Sequence, residues 1–173
     1  MEAKGDSKMS SGCSNIPPLV FLSDYRGDYF EYENAIYELF TADFIDSKPV
    51  FRGQNLGLKR HPLYRDREAT FWHILSEGPI EYERTPDLRR YERISWPKSI
   101  IEFCHSSCER IKVWENNRKG ENRILLWCED IEYLVVLADR INYILFWTAY
   151  PVTKGHKKRK LQKEYEEYIK QSI

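Results

Sequence analysis

His73, in the run Thr70-Phe71-Trp72-His73-Ile74, is the best-placed proton-transfer group of this chain. An imidazole with a free pKa near roughly 6.5 gives and takes protons at neutral pH. The same aromatic, helical setting suits a buried, hydrogen-bonded structural histidine, and residue type alone favours that second role. Arginines follow it: Arg84, Arg89, Arg90 and Arg93 lie within twenty residues. The planar guanidinium fork matches phosphate oxygens, while surface pairing with Asp87 and Glu92 is the simpler use of those charges. A third group lies far downstream. Thr148 and Tyr150 are two apart on an apolar run, so as strand residues they share a face, and their hydroxyls are able to hold a phosphate or polarise a scissile oxygen. Both are also ordinary strand residues.

Further contacts are read from the flanks. Arg140 sits at the tight turn before the last apolar run, as a turn residue or a substrate contact. Lys157 opens a lysine-rich segment, and His61 precedes Pro62 in a loop able to reach substrate. The four cysteines include Cys104 and Cys108 around His105, but no CxxC pair exists, so reduced thiols are expected rather than a zinc site.

These groups need elements to position them. The chain of 173 residues is 42% hydrophobic and 14% aromatic, enough for one packed domain. Residues 1–16 read as a disordered polar tail, and 17–173 as a single α+β domain. Tyr29, Tyr32, Ile36, Phe40 and Phe44 recur at helical spacing over about 29–45, before Pro49. Short pieces follow: a hairpin from Val50 to Arg60 around Gly53-Gln54-Asn55, then helices over 68–77, 86–93 and 97–108. The second half is β-rich, over 110–115, 122–128, 133–138 and 142–150. Short loops there imply an antiparallel meander of about four strands. A last helix over 157–171 lays Leu161, Tyr165, Tyr168 and Ile169 on the sheet. No apolar run approaches the roughly 20 residues of a membrane helix, and the polar N-terminus lacks a signal-peptide core, so a cytoplasmic location is expected.

The net charge is zero, which by itself argues against broad affinity for nucleic acid. The charges are segregated, however. The stretch 24–46 is acidic, 52–67 is basic, and 154–163 is basic without an acid.

The segments Lys59-Arg60-His61-Pro62, Thr70 to Ile74, Pro86-Asp87-Leu88-Arg89-Arg90, Tyr133 to Leu137 with Arg140, and Thr148-Ala149-Tyr150-Pro151-Val152 stand in an order that resembles phage-associated nucleases of the barnase, EndoU, colicin and RelE superfamily. The likeness spans about residues 28–170. It implies N-terminal helices followed by a curved antiparallel sheet, in agreement with the reading above. It also implies a toxin-like, metal-independent endoribonuclease without a cofactor. The ribose 2′-hydroxyl attacks its own phosphorus, giving a 2′,3′-cyclic phosphate. Cellular RNA is the implied substrate, tRNA among the candidates. On this likeness His73 matches the acid/base residue, Arg89 or Arg90 the phosphate cation, and Thr148 and Tyr150 the terminal-strand hydroxyls. Arg140, Lys59, His61 and Lys157 become substrate contacts. The second proton-transfer group stays unassigned. A toxic nuclease implies a cognate antitoxin or immunity protein, here expected to cover the site with a basic face. The competing expectation is a non-catalytic RNA- or protein-binding module of phage or host-interaction origin.

Overall fold

The computed structural model describes residues 16–103 and 110–173. Residues 1–15 of the expected 1–16 tail, together with Cys104, His105 and Cys108, lie outside the described residues. Ile16 already packs against the core. The protein is α+β, with helices in the first half, a four-stranded antiparallel sheet in the second, and a C-terminal helix.

Helix α1 spans Tyr29–Thr41. Asp28 caps it, its carboxylate accepting from the backbone N–H groups of Phe30 and Glu31, both at 3.0 Å. The fourfold spacing of Tyr32, Ile36 and Phe40 makes one buried stripe. A π-helical turn over Ala42–Asp46 extends it and carries Phe44 onto Phe146, ring centroids 4.6 Å apart. The hairpin that follows is tighter than expected. Strand β1 (Val50–Phe51) pairs with β2 (Gln54–Asn55) rather than with 56–60. The reason is the left-handed backbone at Arg52 and Gly53, which closes a two-residue turn.

Helix α2 spans Ala69–Leu75 and stops two residues short of the expected end, because Ser76–Glu77 (β3) pairs with Thr85–Pro86 (β4). Pro86 therefore belongs to a strand, and α3 is shorter than expected, Leu88–Glu92, with Asp87 as its cap. Helix α4 covers Trp96–Phe103.

The main sheet runs β5 (Ile111–Arg118), β6 (Glu121–Cys128), β7 (Tyr133–Asp139) and β8 (Ile144–Pro151), in sequence order. One face, with Leu126, Val135 and Phe146, carries α1, α2 and α4. The other, with Trp114, Trp127 and Leu134, takes Leu161 and Tyr165 of α5, which spans Gly155–Gln171. The sheet thus has two apolar faces, and its strands read as nearly continuous hydrophobic runs. Among the described residues, no helix is long and apolar enough to cross a membrane.

Candidate active site

The register of β8 shifts once. Val136 pairs with Thr148 but Leu137 pairs with Phe146, so Trp147 is the extra residue of a bulge. A bulge re-aims side chains and ends regular pairing. Before it, the outer edge of β8 is covered by Gly57, whose N–H donates to the carbonyl of Ile144 (2.7 Å) and whose carbonyl accepts from Phe146 (3.0 Å). A Cβ at Gly57 would stand 3.1 Å from the Tyr143 ring, so this close approach suits glycine. Beyond the bulge, Thr148 and Tyr150 pair with Val136 and Leu134 and share one face, as their spacing requires.

The Gly57 segment also fixes α2. Thr70 Oγ1 accepts from the Lys59 N–H at 2.8 Å and donates to the Lys59 carbonyl at 3.1 Å. Phe71, Ile74 and Leu75 point into the core. His73 therefore faces β8, its ring 5.2 Å from that of Trp147. The far end of α2 is held by Arg84. Its guanidinium donates to the carbonyls of His73 (3.1 Å), Gly78 (2.8 Å) and Ser76 and to the Ser76 hydroxyl (3.2 Å). With most of its N–H groups spent on helix-end carbonyls, Arg84 positions the 77–85 loop. That loop returns Glu81 to His73.

Glu81 lies 2.9 and 3.0 Å from Nδ1 of His73 through its two oxygens. A carboxylate only accepts, so Nδ1 carries the proton and Nε2 presents its lone pair. Burial pushes the imidazole pKa below its ordinary value, and the charges of Arg84 and Arg90 push it the same way, while Glu81 opposes both. The ring is thus neutral at neutral pH and oriented by a carboxylate, the arrangement of a general base.

Arg90 lies across from it. Asp87 Oδ2 is 3.7 Å from its Nε, and its guanidinium stacks on the Tyr150 ring at 5.0 Å. Only 11% of the side chain is exposed, yet Nε and Nη1 have no hydrogen-bond partner. Thr148 Oγ1 is likewise buried without a partner. Burial raises the Tyr150 pKa, so that phenol stays protonated. Unspent donors of this kind are costly in a finished core. Arg90 and Thr148 border the cleft, but these three atoms are closed to it, so an anion reaches them only if the side chains turn.

These groups line one cleft of about 710 Å³. Eight Lys or Arg residues border it against three acids, Glu77, Glu81 and Asp87. Of the site residues expected from sequence, His73, Arg89, Arg90, Thr148, Tyr150 and Lys157 line it. Arg89 is paired with Asp87 at 3.1 Å and is half-exposed, which leaves Arg90 as the inward cation. Lys59 lines a small neighbouring cavity that shares His73, Glu81 and Trp147. Arg140 pairs with Glu121 at 2.6 Å and lies over the Trp147 ring at 5.9 Å, so it braces that ring from outside the cleft lining. His61 is exposed and apart from the cleft. Sequence reading missed Glu81, Arg118, Arg123 and Trp147, and Arg84 entered it only as one of a cluster. Arg123 is 5.4 Å from the Trp147 ring. Its place on β6, on the face shared with Leu125, was the available signal.

No protein-family profile, curated protein or solved structure matches the chain.

Proposed function

We propose that the protein is an endoribonuclease that cleaves by attack of the ribose 2′-hydroxyl. The observation that carries this reading is the facing pair of an oriented neutral imidazole, His73, and a buried guanidinium with unspent donors, Arg90, in one cation-rich cleft. Cations select a phosphodiester backbone. Nε2 of His73 takes the 2′-hydroxyl proton. The new O2′–P bond forms as the P–O5′ bond breaks. Arg90 and the Thr148 hydroxyl, turned toward the bound phosphate, donate to the phosphoryl oxygens as negative charge builds there. Tyr150, kept protonated by burial, gives its proton to the leaving 5′-oxygen. The imidazolium then returns a proton to the tyrosinate through water. Products are a 2′,3′-cyclic phosphate and a 5′-hydroxyl. DNA lacks the attacking group and is spared.

The biological reading follows from the resemblance: a toxin-like enzyme of phage association, acting in the cytoplasm on cellular RNA, with tRNA among the targets. A neutralising partner would cover the cleft. The cation excess there calls for an acidic contact face on that partner, not the basic one expected from sequence.

The test is incubation with total RNA in EDTA, followed by chemical mapping of the ends. Cyclic-phosphate ends, lost with His73→Ala, are expected. Intact RNA at high enzyme refutes the proposal, as does equal cutting by the variant. Tight RNA binding without turnover would establish the binding-module alternative.

A further inference from the structure

Beside the basic cleft lies a second groove, of about 760 Å³, with a different lining. Tyr29, Tyr64, Trp72 and Tyr82 supply aromatic surface to it, whereas Trp147 and Tyr150 are the aromatic residues of the cleft. Tyr82 is 87% exposed and Tyr64 62% exposed, far more than a folding role requires. Tyr64 is nevertheless held in place: its ring meets Trp72 edge-on at 5.3 Å, and its carbonyl accepts from the Trp72 indole at 2.8 Å. Arg65 lies over the Trp72 ring at 5.8 Å. The groove and the cleft share two residues, Glu81 and Arg84, which form the ridge between them. His73 hydrogen-bonds to one and supplies its carbonyl to the other.

A single nucleic-acid strand has two chemistries along its length, charged phosphates and flat bases. Cations track the first and aromatic rings stack on the second. Here a cation-rich cleft and an aromatic groove adjoin across the His73–Glu81–Arg84 ridge. We infer that the groove is a base-stacking subsite for unpaired nucleotides flanking the cut, with Tyr82 and Tyr64 as its platforms. This rests on the ribonuclease reading for its substrate and adds that the RNA is engaged as a single strand over several nucleotides. Continuity with the cleft, together with Lys59 in the lining, favours RNA over a polypeptide occupant; Arg65 is paired with Glu33 at 3.2 Å and adds no free charge.

The probe is a 2′-O-methyl octanucleotide carrying 2-aminopurine, which lacks the attacking hydroxyl. Its fluorescence is titrated with the full chain, and a 2′-O-methyl dinucleotide serves as the short control. The expected result is quenching on binding. Tyr82→Ala and Tyr64→Ala should each weaken octanucleotide affinity by about 5- to 150-fold, the range of one base–aromatic stack. Tyr82→Phe should restore it, and dinucleotide affinity should not change. Octanucleotide binding unaffected by both alanine variants overturns the inference. So does equal weakening of both probes. Failure of the wild type to bind the octanucleotide also overturns it. Tyr82-dependent binding in a protein that never cleaves RNA would refute the proposed reaction while supporting the groove.

Discussion

Arg90 offers a prediction in which stability and activity move in opposite directions. The side chain is 11% exposed, and two of its nitrogens, Nε and Nη1, are buried without a hydrogen-bond partner. A buried donor left unmade costs about 1–3 kcal/mol. The stack on Tyr150 at 5.0 Å offsets about 1 kcal/mol of this. Arg84 adds like-charge repulsion. Methionine keeps an unbranched apolar stem of similar reach and carries no charge. Asp87 is not orphaned by the change, because Arg89 still holds it at 3.1 Å. Arg90→Met should therefore stabilise the protein by about 1–2 kcal/mol, or about 2–8 °C in Tm for a domain of this size. Cleavage should fall by about 10²–10³, the usual cost of removing a group that stabilises developing negative charge. Arg90→Lys should fall between, since an ammonium lacks the planar fork. Urea and thermal unfolding read the first quantity, and initial rates on an RNA oligonucleotide the second. A variant less stable than wild type by more than about 1 kcal/mol would show that the Arg90 donors are not unpaired in the folded protein. Retention of more than about a tenth of the activity would refute the role of Arg90 in cleavage.

Three further outcomes follow from the same geometry. Glu81→Gln keeps a polar partner for Nδ1 but removes the charge that raises the His73 pKa. The acid limb of the kcat/KM profile should move to lower pH. The plateau should drop about 5- to 30-fold, a modest figure because Glu81 is 61% exposed and solvent screens it. Thr148→Val removes a buried hydroxyl that has no partner. Unfolding free energy should stay level or rise by up to about 1 kcal/mol, while the cleavage rate falls about tenfold. His73 itself links stability to pH. Its folded pKa lies below the unfolded value of about 6.5, so the unfolded chain binds the proton first. The stability it contributes is whole above that unfolded value and is lost as pH falls through the folded one. Urea midpoints at pH 7.5 and 5.5 should converge more closely in His73→Gln than in wild type.

Much of the scaffold is legible in the chain. The stripe Tyr32, Ile36 and Phe40 announces α1, and the four apolar runs after Arg110 announce the sheet, because hydrophobic burial imposes those periods directly. The short pieces between them are less so. Pro86 reads as a helix start until β3 is there to pair with Thr85–Pro86, and Arg84 ties that loop to α2. The candidate site is half legible. His73, the pair Arg89 and Arg90, Thr148 and Tyr150 are candidates by residue type and spacing, which leave their structural uses open and do not choose between the two arginines. Glu81 does not, since on a continuous helix or strand a glutamate eight residues past a histidine would lie about 12 or about 26 Å along it, and the turn at Gly78 brings the two together. The charge of the cleft is hidden for a similar reason. The chain is neutral overall, and the bordering cations come from three separate stretches, 84–90, 118–123 and 154–157. The bulge at Trp147 is invisible in sequence because it is a matter of register between two strands.

The proposed reaction has His73 and Arg90 act on one phosphodiester whose own 2′-hydroxyl is the nucleophile. The most direct measurement maps the cut in an RNA oligonucleotide and then repeats the reaction in EDTA with a single 2′-deoxy nucleotide on the 5′ side of that bond. A 2′,3′-cyclic phosphate on the unmodified strand and no cutting at that bond in the modified one are expected. Cutting of the deoxy-substituted bond at an undiminished rate would contradict it.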